Sequence, residues 1–325
     1  MPHQASTAIL QLTRSCLMVA PEWALGLVAR LLAGRNPREP EREPGWHFDF
    51  AADRPRPMTS MRRVIWECFR DRGINGELRI DWYDHLEFRL LLGSDLSLCL
   101  YVGGSFEPNE FAYLEETLRP GMVFIDGGAN EGLYTIYAAS RIGPSGKVLA
   151  IEPSTREVNR LRANIELNRL DNVTIERVAL GDQPRRSTLA VAGPGHEALN
   201  TLSPIGDPFR TEEVTVETLD ALVSRHRLER VDVIKLDIEG SEVRALLGAR
   251  ETLKRFEPIL LIEAEETRLA SMADGLDDLL AILDEYRYDV QIFDSGTGRL
   301  RAANRPGEPG TTHQGNIAAV PKRHL

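Results

Sequence analysis

The chain has 325 residues, 42% hydrophobic and 27% charged, and a formal net charge of −10. At roughly 150 residues per domain, that length holds about two domains, or one large α/β domain with an extension. The composition excludes a wholly disordered or collagen-like chain, and the acidic balance argues against a broadly basic, nucleic-acid-binding surface.

Of the 39 basic residues only four are Lys, a bias we read as genome composition rather than function. Cys16, Cys68 and Cys99 are odd in number and widely spaced. They suggest free thiols in a reducing compartment, not a disulfide framework or a zinc site. No secretory pattern opens the chain, and the predicted location is cytoplasmic.

The first apolar stretch, Ile9 to Leu32, is interrupted by Arg14, Pro21, Glu22 and Arg30. It falls short of the ~20 uninterrupted apolar residues that a bilayer requires. Its helical spacing predicts a two-helix arm broken at Pro21, with the second helix stopping at Gly34. Such an arm packs on the domain or makes a homo-oligomer; peripheral membrane contact through residues 7–33 is the alternative. Residues 35–57 hold five prolines and read as a linker. A short helix is expected over 59–72, then two or three antiparallel strands between Ile74 and Val102, where apolar residues alternate. A helix over Pro108 to Leu118 closes this section.

Beyond Gly121 strands and helices alternate. Strands are predicted at 122–126, 147–152, 173–180, 231–237 and 258–264, with helices at 131–141, 154–169, 217–227, 241–256 and 274–286. A polar insertion runs from 181 to about 215, and strands YDVQIF and GNIAAVP finish the chain. This grammar means a doubly wound, mostly parallel sheet. The expected domains are 1–57 (arm and linker), 58–120 (α+β extension) and 121–325 (the parallel-sheet domain).

The segment FIDGGANEGLYT, 124–135, ends a strand in Asp126, supplies three glycines, and opens a helix. Gly128 lets backbone lie against a ligand, and the new helix offers free N–H groups to an anion. Glu152 ends the second strand 24 residues past Gly128, the place of an acid that accepts from ribose hydroxyls. A nicotinamide site would have glycine where Asp126 stands. The third cluster is KLDIEGSE, 235–242, which sets Asp237 at the ligand-binding edge of the sheet with Glu239 and Glu242 close behind. Asp237 is the expected general base, with Glu239 as a second candidate; Glu242 reads better as a first-turn helix charge. Asp237 and Glu263, on neighbouring strand tips, are the alternative ligands for a divalent metal. His196, in the insertion, is a candidate acceptor contact, whereas His85 reads as structural.

The pattern D-x-G-x-N-x-G at 126–132 is similar to motif I of class I S-adenosylmethionine-dependent methyltransferases. The ordered series DGGANEGLYT, VLAIEPS, ANIELNRLDNV, ALGD, VETLD, VDVIKLDIEGSEVRALLGA and PILLIEA resembles the FkbM family. The resemblance runs from Gly104 to Pro321; residues 1–100 lie outside it. It implies a seven-stranded Rossmann-like α/β sheet with S-adenosyl-L-methionine as cofactor. It also implies O-methylation of a hydroxyl on a sugar, lipid-linked glycan or secondary metabolite. By position, Asp126, Gly128, Asn130 and Gly132 would hold the methionine end, Glu152 the ribose, and the stretch Ala179 to Asp182 the adenine. Glu131 departs from the family, where a small aliphatic residue is usual. The readings outside this one are a catalytically inactive cofactor-binding scaffold and a nicotinamide-dependent oxidoreductase.

Overall fold

A computed structural model describes residues 2–33, 57–83, 85–193, 200–203, 209–294, 297–302 and 315–322. They form two compact units, Met1–Asn109 with Gly193–Ala198, and Glu110–Ala192 with Leu199–Leu325. Among the described residues no helix is long and apolar enough to cross a membrane.

The first unit contains helices α1 (Pro2–Val19), α2 (Glu22–Ala33) and α3 (Pro57–Arg72) and a hairpin of β1 (Gly76–Trp82) and β2 (Leu86–Leu92). The break at Pro21 falls where predicted. The arm belongs to the same unit as the hairpin, not to a segment apart. Arg14 pairs with Asp71 at 2.6 Å and Glu67 at 3.2 Å on α3. Arg72 reaches back to the carbonyls of Leu17 (3.2 Å) and Ala20 (2.8 Å), and Arg62 to that of Leu32 (2.9 Å). Both arm helices thus have C-terminal carbonyls, which lack intrahelical donors, satisfied by arginines of α3. In the hairpin, Leu78, Ile80 and Trp82 and their partners Leu90, Phe88 and Leu86 are buried, as period-two alternation requires. His85 sits exposed in its turn with φ +82°.

The expected strand beyond residue 94 is instead helical, as α4 (Asp95–Ser97) running into a π-helical stretch, Leu98–Gly103. Residues 98–102 are all buried, so their alternation with polar neighbours marks no exposed face. Ser94 Oγ accepts the Ser97 N–H and starts the helix, while the Trp66 indole N–H donates to the Ser94 carbonyl.

The units divide at the start of α5 (Pro108–Thr117). The second unit then runs β3 (Val123–Gly127), α6 (Leu133–Ile142), β4 (Lys147–Ile151), α7 (Thr155–Leu167), β5 (Val173–Glu176), β6 (Ala179–Leu180), β7 (Arg185–Val191), β8 (Arg210–Glu217), α8 (Leu219–Arg225), β9 (Val233–Leu236), α9 (Glu242–Leu247), α10 (Arg250–Phe256), β10 (Ile259–Glu263), α11 (Glu266–Ser271), α12 (Leu276–Glu285), β11 (Tyr288–Phe293), β12 (Leu300–Ala302) and β13 (Asn316–Pro321). The large sheet has the order β12-β11-β13-β10-β9-β3-β4-β5. Strands β3, β4, β5, β9 and β10 are parallel; β13 is antiparallel between β10 and β11. Seven strands follow the predicted α/β doubly wound plan, and three-residue β12 adds an eighth at the edge. Every residue of β3 and β9 is buried, as for central parallel strands covered on both faces.

Three local expectations change. The predicted strand 173–180 is two: β5 joins the large sheet, and β6 pairs with β8 in a small sheet of order β6-β8-β7. The polar insertion therefore contains a hairpin, whose outward residues, among them Arg186, Thr188, Thr211, Glu213 and Thr215, are mostly polar while Leu189, Val191, Val214 and Val216 face a small core. The helix over 241–256 is broken at Gly248, where a Cβ would lie 2.1 Å from the Gly181 carbonyl oxygen.

The arginine clamps on the arm are testable. Arg72→Met should loosen α1, because a charged donor to such half-buried carbonyls contributes about 1–3 kcal/mol. Hydrogen exchange of the α1 amides should speed by roughly tenfold or more, with the second unit unchanged; unchanged α1 protection would refute the clamp.

Candidate functional site

The parallel sheet reverses its winding between β3 and β9, and ligands bind at the carboxyl ends of strands at such a switch point. The loop after β3 is held from two sides. The N–H groups of Gly128 and Ala129 donate to the carbonyl of Ile151, the last residue of β4, at 2.9 and 3.0 Å, and the Asp237 N–H beyond β9 donates to the Gly127 carbonyl at 3.0 Å. Gly128 has φ +81°, and a Cβ there would lie 1.8 Å from the Asp237 carbonyl oxygen. The glycine is thus required by backbone packing on the neighbouring strand tip, where the sequence assigned it to a ligand.

Asn130, at φ +48°, donates its N–H to Glu152 Oε2 at 3.0 Å. Glu152 Oε1 accepts the Ser154 N–H at 2.9 Å. Burial pushes the Glu152 carboxyl up to about 8 against these two donors, and the nearby Glu157 and Asp126 add to the rise. Asp126 is fully buried; Oδ2 accepts from Thr135 Oγ1 of α6 at 2.6 Å, and Oδ1 has no partner among the described residues. Burial raises its carboxyl too, with Lys235 and Thr135 opposing.

Glu131 fastens the loop to α7. Its carboxylate takes Arg160 at 2.5 Å, and its carbonyl accepts from the buried Asn164 amide at 3.0 Å. Gly132, at φ +101°, ends the loop with its Cβ position 2.6 Å from Leu161. Asp126, Asn130 and Glu152 are thus brought together around the loop. The expected adenine segment borders the loop, with Leu180 packed 3.0 Å from the Cβ position of Gly127. Ala179 packs into the small-sheet core, and Asp182 is exposed and paired with Arg185 at 2.9 Å.

The second half of the site follows β9. Lys235 is 3% exposed; its Nζ donates to Asp237 Oδ2 at 2.8 Å and lies 4.3 Å from the Tyr134 ring centroid. Phe111 stacks on Tyr134 at 4.7 Å. Burial would raise the Asp237 carboxyl, yet Lys235, Arg268 and a hydrogen bond with Glu263 outweigh it and hold it below the usual carboxylate range. Its side chain remains 25% exposed and so reachable.

Glu239, at φ +57°, pairs with Arg268 of α11. Arg268 also lies 2.5 Å from Glu265 and 3.6 Å from Glu263. Carboxylate oxygens of Asp237, Glu239 and Glu263 all fall within 4.8 Å of one another. Lys235 and Arg268 already supply the positive charge that a divalent metal would bring, so this donor set fits internal ion pairing. Glu242, 1% exposed, accepts the Ile238 N–H at 2.9 Å and the Gly240 N–H at 3.4 Å. Burial pushes its carboxyl up to about 7. It closes the 238–242 turn, a larger task than a helix-end charge.

The inserted hairpin also reaches this turn. Thr201 Oγ1 donates to the Glu239 carbonyl at 3.1 Å, and Ser203 Oγ to the Ser271 carbonyl at 3.2 Å. His196 lies outside the described residues. Sequence reasoning missed Lys235, read as part of an apolar strand, and Arg268, whose six-residue helix is too short for a periodic signal. An ionisable residue in the middle of the buried run VDVIKLD was the available clue.

Residues 126–290 match the model of the methyltransferase FkbM domain. Ribosomal RNA large subunit methyltransferase E of Nitratidesulfovibrio vulgaris is 30% identical over 176 residues, 49% of this chain and 83% of the relative. The 2-O-methyltransferase NoeI of Sinorhizobium fredii is 26% identical over 180 residues, 51% of this chain and 71% of the relative. AMB antimetabolite synthetase AmbE of Pseudomonas aeruginosa is 25% identical over 231 residues, 58% of this chain, which spans 11% of that protein's length. The crystal structure of methyltransferase FkbM from Methylobacillus flagellatus aligns over 68% of this chain and 52% of its own, at 20% identity and a TM-score of 0.40. The family model covers just over half of the chain, and the chain belongs to the FkbM family of methyltransferases.

Proposed function

We propose that the chain is an S-adenosyl-L-methionine-dependent O-methyltransferase acting on a hydroxyl of a sugar, glycan or secondary metabolite. The observation that carries this reading is the junction of β3 and β9, where the glycine loop and Asp237 meet at the switch point with backbone in contact. The residues around the loop fit the cofactor. Asp126 keeps one buried carboxylate oxygen without a partner among the described residues. Glu152 accepts one backbone bond on each oxygen, leaving lone pairs for two hydroxyls. When bound, S-adenosylmethionine supplies an electrophilic methyl group.

The protein must then orient the hydroxyl and take its proton. Asp237 is ionised, partly exposed and fixed by Lys235. A carboxylate held below its ordinary range is a weak base, but it suffices here, because the attacking oxygen becomes strongly acidic as it gains the methyl group. Glu239 is bound to Arg268, and we assign it to shaping the acceptor side. The acidic frame of Asp237, Glu239, Glu263 and Glu265, with the net charge of −10, favours an uncharged acceptor over nucleic acid. The relative named a 2-O-methyltransferase supports a hydroxyl acceptor; the ribosomal RNA relative makes RNA the rival to test.

These assignments make predictions for Asp237, for the cofactor and for Glu152. Asp237→Asn should leave S-adenosylhomocysteine affinity within about threefold while lowering single-turnover methyl transfer by ~10²–10⁴. An Asn variant within tenfold of wild type would remove Asp237 from proton transfer. A thermal-shift panel should show stabilisation by S-adenosylmethionine and S-adenosylhomocysteine and none by NAD or NADP.

For Glu152, burial pushes the carboxyl up to about 8 in the folded protein against 4.5 unperturbed. The folded state binds the extra proton between those values, so stability of the free protein falls as pH rises from about 4.5 to about 8. Glu152→Gln should flatten that slope in denaturation midpoints. Hydroxyl donors favour the ionised form, so S-adenosylhomocysteine binding should release a proton below pH 8 and strengthen as pH rises. Calorimetry in buffers of different ionisation enthalpy detects that proton; no release at pH 7 would contradict the contact.

A further inference from the structure

The side of the site beyond β9 and β10 gathers carboxylates around one guanidinium. Oxygens of Asp237, Glu239 and Glu263 lie within 4.8 Å of one another, close enough together to hold one divalent cation. Like charges at that spacing stay together only around positive charge. Lys235 is engaged by Asp237 at 2.8 Å and lies against the Tyr134 ring. Arg268 serves the rest: Nη1 pairs with Glu239, and Nε lies 3.6 Å from Glu263 and 2.5 Å from Glu265. It also acts electrostatically on Asp237.

The fold delivers that guanidinium rigidly. A Cβ on Gly240, at φ +100°, would lie 2.3 Å from the Arg268 carbonyl oxygen, so the backbone of α11 seats directly on the turn that carries Glu239. The next residue, Leu269, is fully buried in the main core. Arg244 of α9 holds the end of α11, reaching the Met272 carbonyl at 2.5 Å and Asp274 at 3.1 Å. With its backbone fixed, a planar fork serves carboxylates lying in different directions at once. An ammonium group there would carry the charge without the fork.

We propose that Arg268 is a positioning residue that takes the place of a divalent cation, holding Asp237, Glu239 and Glu263 together so that the acceptor side needs no metal. The three carboxylates are then a latent metal site that the guanidinium keeps closed. Removing Arg268 leaves them and Glu265 with Lys235 as counter-charge, and a divalent ion restores the balance. That this is the acceptor's side rests on the proposed function. The balance of charge does not, and metal binding by the free protein reads it without any methyl transfer.

The test is Mn²⁺ binding to the full-length chain, followed by electron paramagnetic resonance, with thermal midpoints taken in about 1 mM Mn²⁺ and in chelator. Arg268→Ala should bind one Mn²⁺ per chain at least about tenfold more tightly than wild type. It should also gain about 2–4 °C on adding the ion, where wild type gains none. That metal-dependent recovery is one that lost packing alone would not produce. Arg268→Lys keeps a positive charge in the cluster and should bind Mn²⁺ as poorly as wild type. Adding Glu239→Gln to Arg268→Ala should abolish the new binding, tracing it to these carboxylates. An Arg268→Ala chain that Mn²⁺ neither binds nor stabilises, folded or not, overturns the proposal, because the guanidinium then replaces no ion. Wild-type binding as tight as the variant's, and lost in Glu239→Gln, overturns it too, since a metal then sits beside Arg268. New binding that survives Glu239→Gln lies elsewhere and likewise overturns it.

Discussion

A buried ammonium group holds the site together. Lys235 sits on β9, 3% exposed, with Asp237 at 2.8 Å, the face of Tyr134 at 4.3 Å, and the buried Asp126 carboxyl within electrostatic reach. A lone charge at that depth is unaffordable, so its partners must stay in place as long as the protein is folded. Those partners belong to different parts of the chain. Asp126 lies next to the end of β3, Tyr134 in the first turn of α6, and Asp237 just after β9. One side chain therefore links the glycine loop to the residue proposed to take the acceptor's proton. The arrangement requires β3 and β9 to be neighbours, which the non-sequential sheet order provides, and requires glycine at 128 for the two tips to touch.

Around that centre the loops are shaped by carboxyl groups accepting backbone N–H groups. Glu152 takes those of Asn130 and Ser154, and Glu242 those of Ile238 and Gly240. Asp220 takes those of Glu251 and Thr252 at the start of α10. These acids substitute for the strand partners that loop backbone lacks. The cost of burying them appears as carboxyls pushed up to about 8 at Glu152 and about 7 at Glu242. Asp237 differs: Lys235 and Arg268 outweigh its burial, and it stays ionised and partly exposed. Environment alone thus separates carboxyls that fix backbone from the one free to act on a ligand.

The parallel sheet was legible because buried strands such as VFIDG and VIKL are apolar on both faces and alternate with helices. The nearness of Glu152 to the glycine loop was legible as a strand-end acid 24 residues past Gly128; its bond from the Asn130 N–H was not. What stayed hidden depends on tertiary contact. The hairpin within 181–217 escaped because its outward positions are mostly polar, and its small core holds only a few valines and leucines. The stretch 95–103 imitates a strand because Ser94 and Ser97 interrupt leucines that are in fact buried all round. The role of Glu131 depends on Arg160, 29 residues on, whose approach no local pattern announces. Arg268 enters the site through a helix of six residues, below the length at which periodicity speaks.

The central claim is that Lys235 and Asp237 form a mutually dependent pair that ties the two halves of the site. A double-mutant cycle in equilibrium denaturation tests it most directly, using Lys235→Met, Asp237→Asn and the double variant. Lys235→Met alone leaves two acids facing each other without their cation and should cost about 3–5 kcal/mol, as breaking a buried pair does. Adding Asp237→Asn should recover at least about 1 kcal/mol of that loss. Effects that add within about 0.5 kcal/mol would mean that the two residues act independently, contradicting the account.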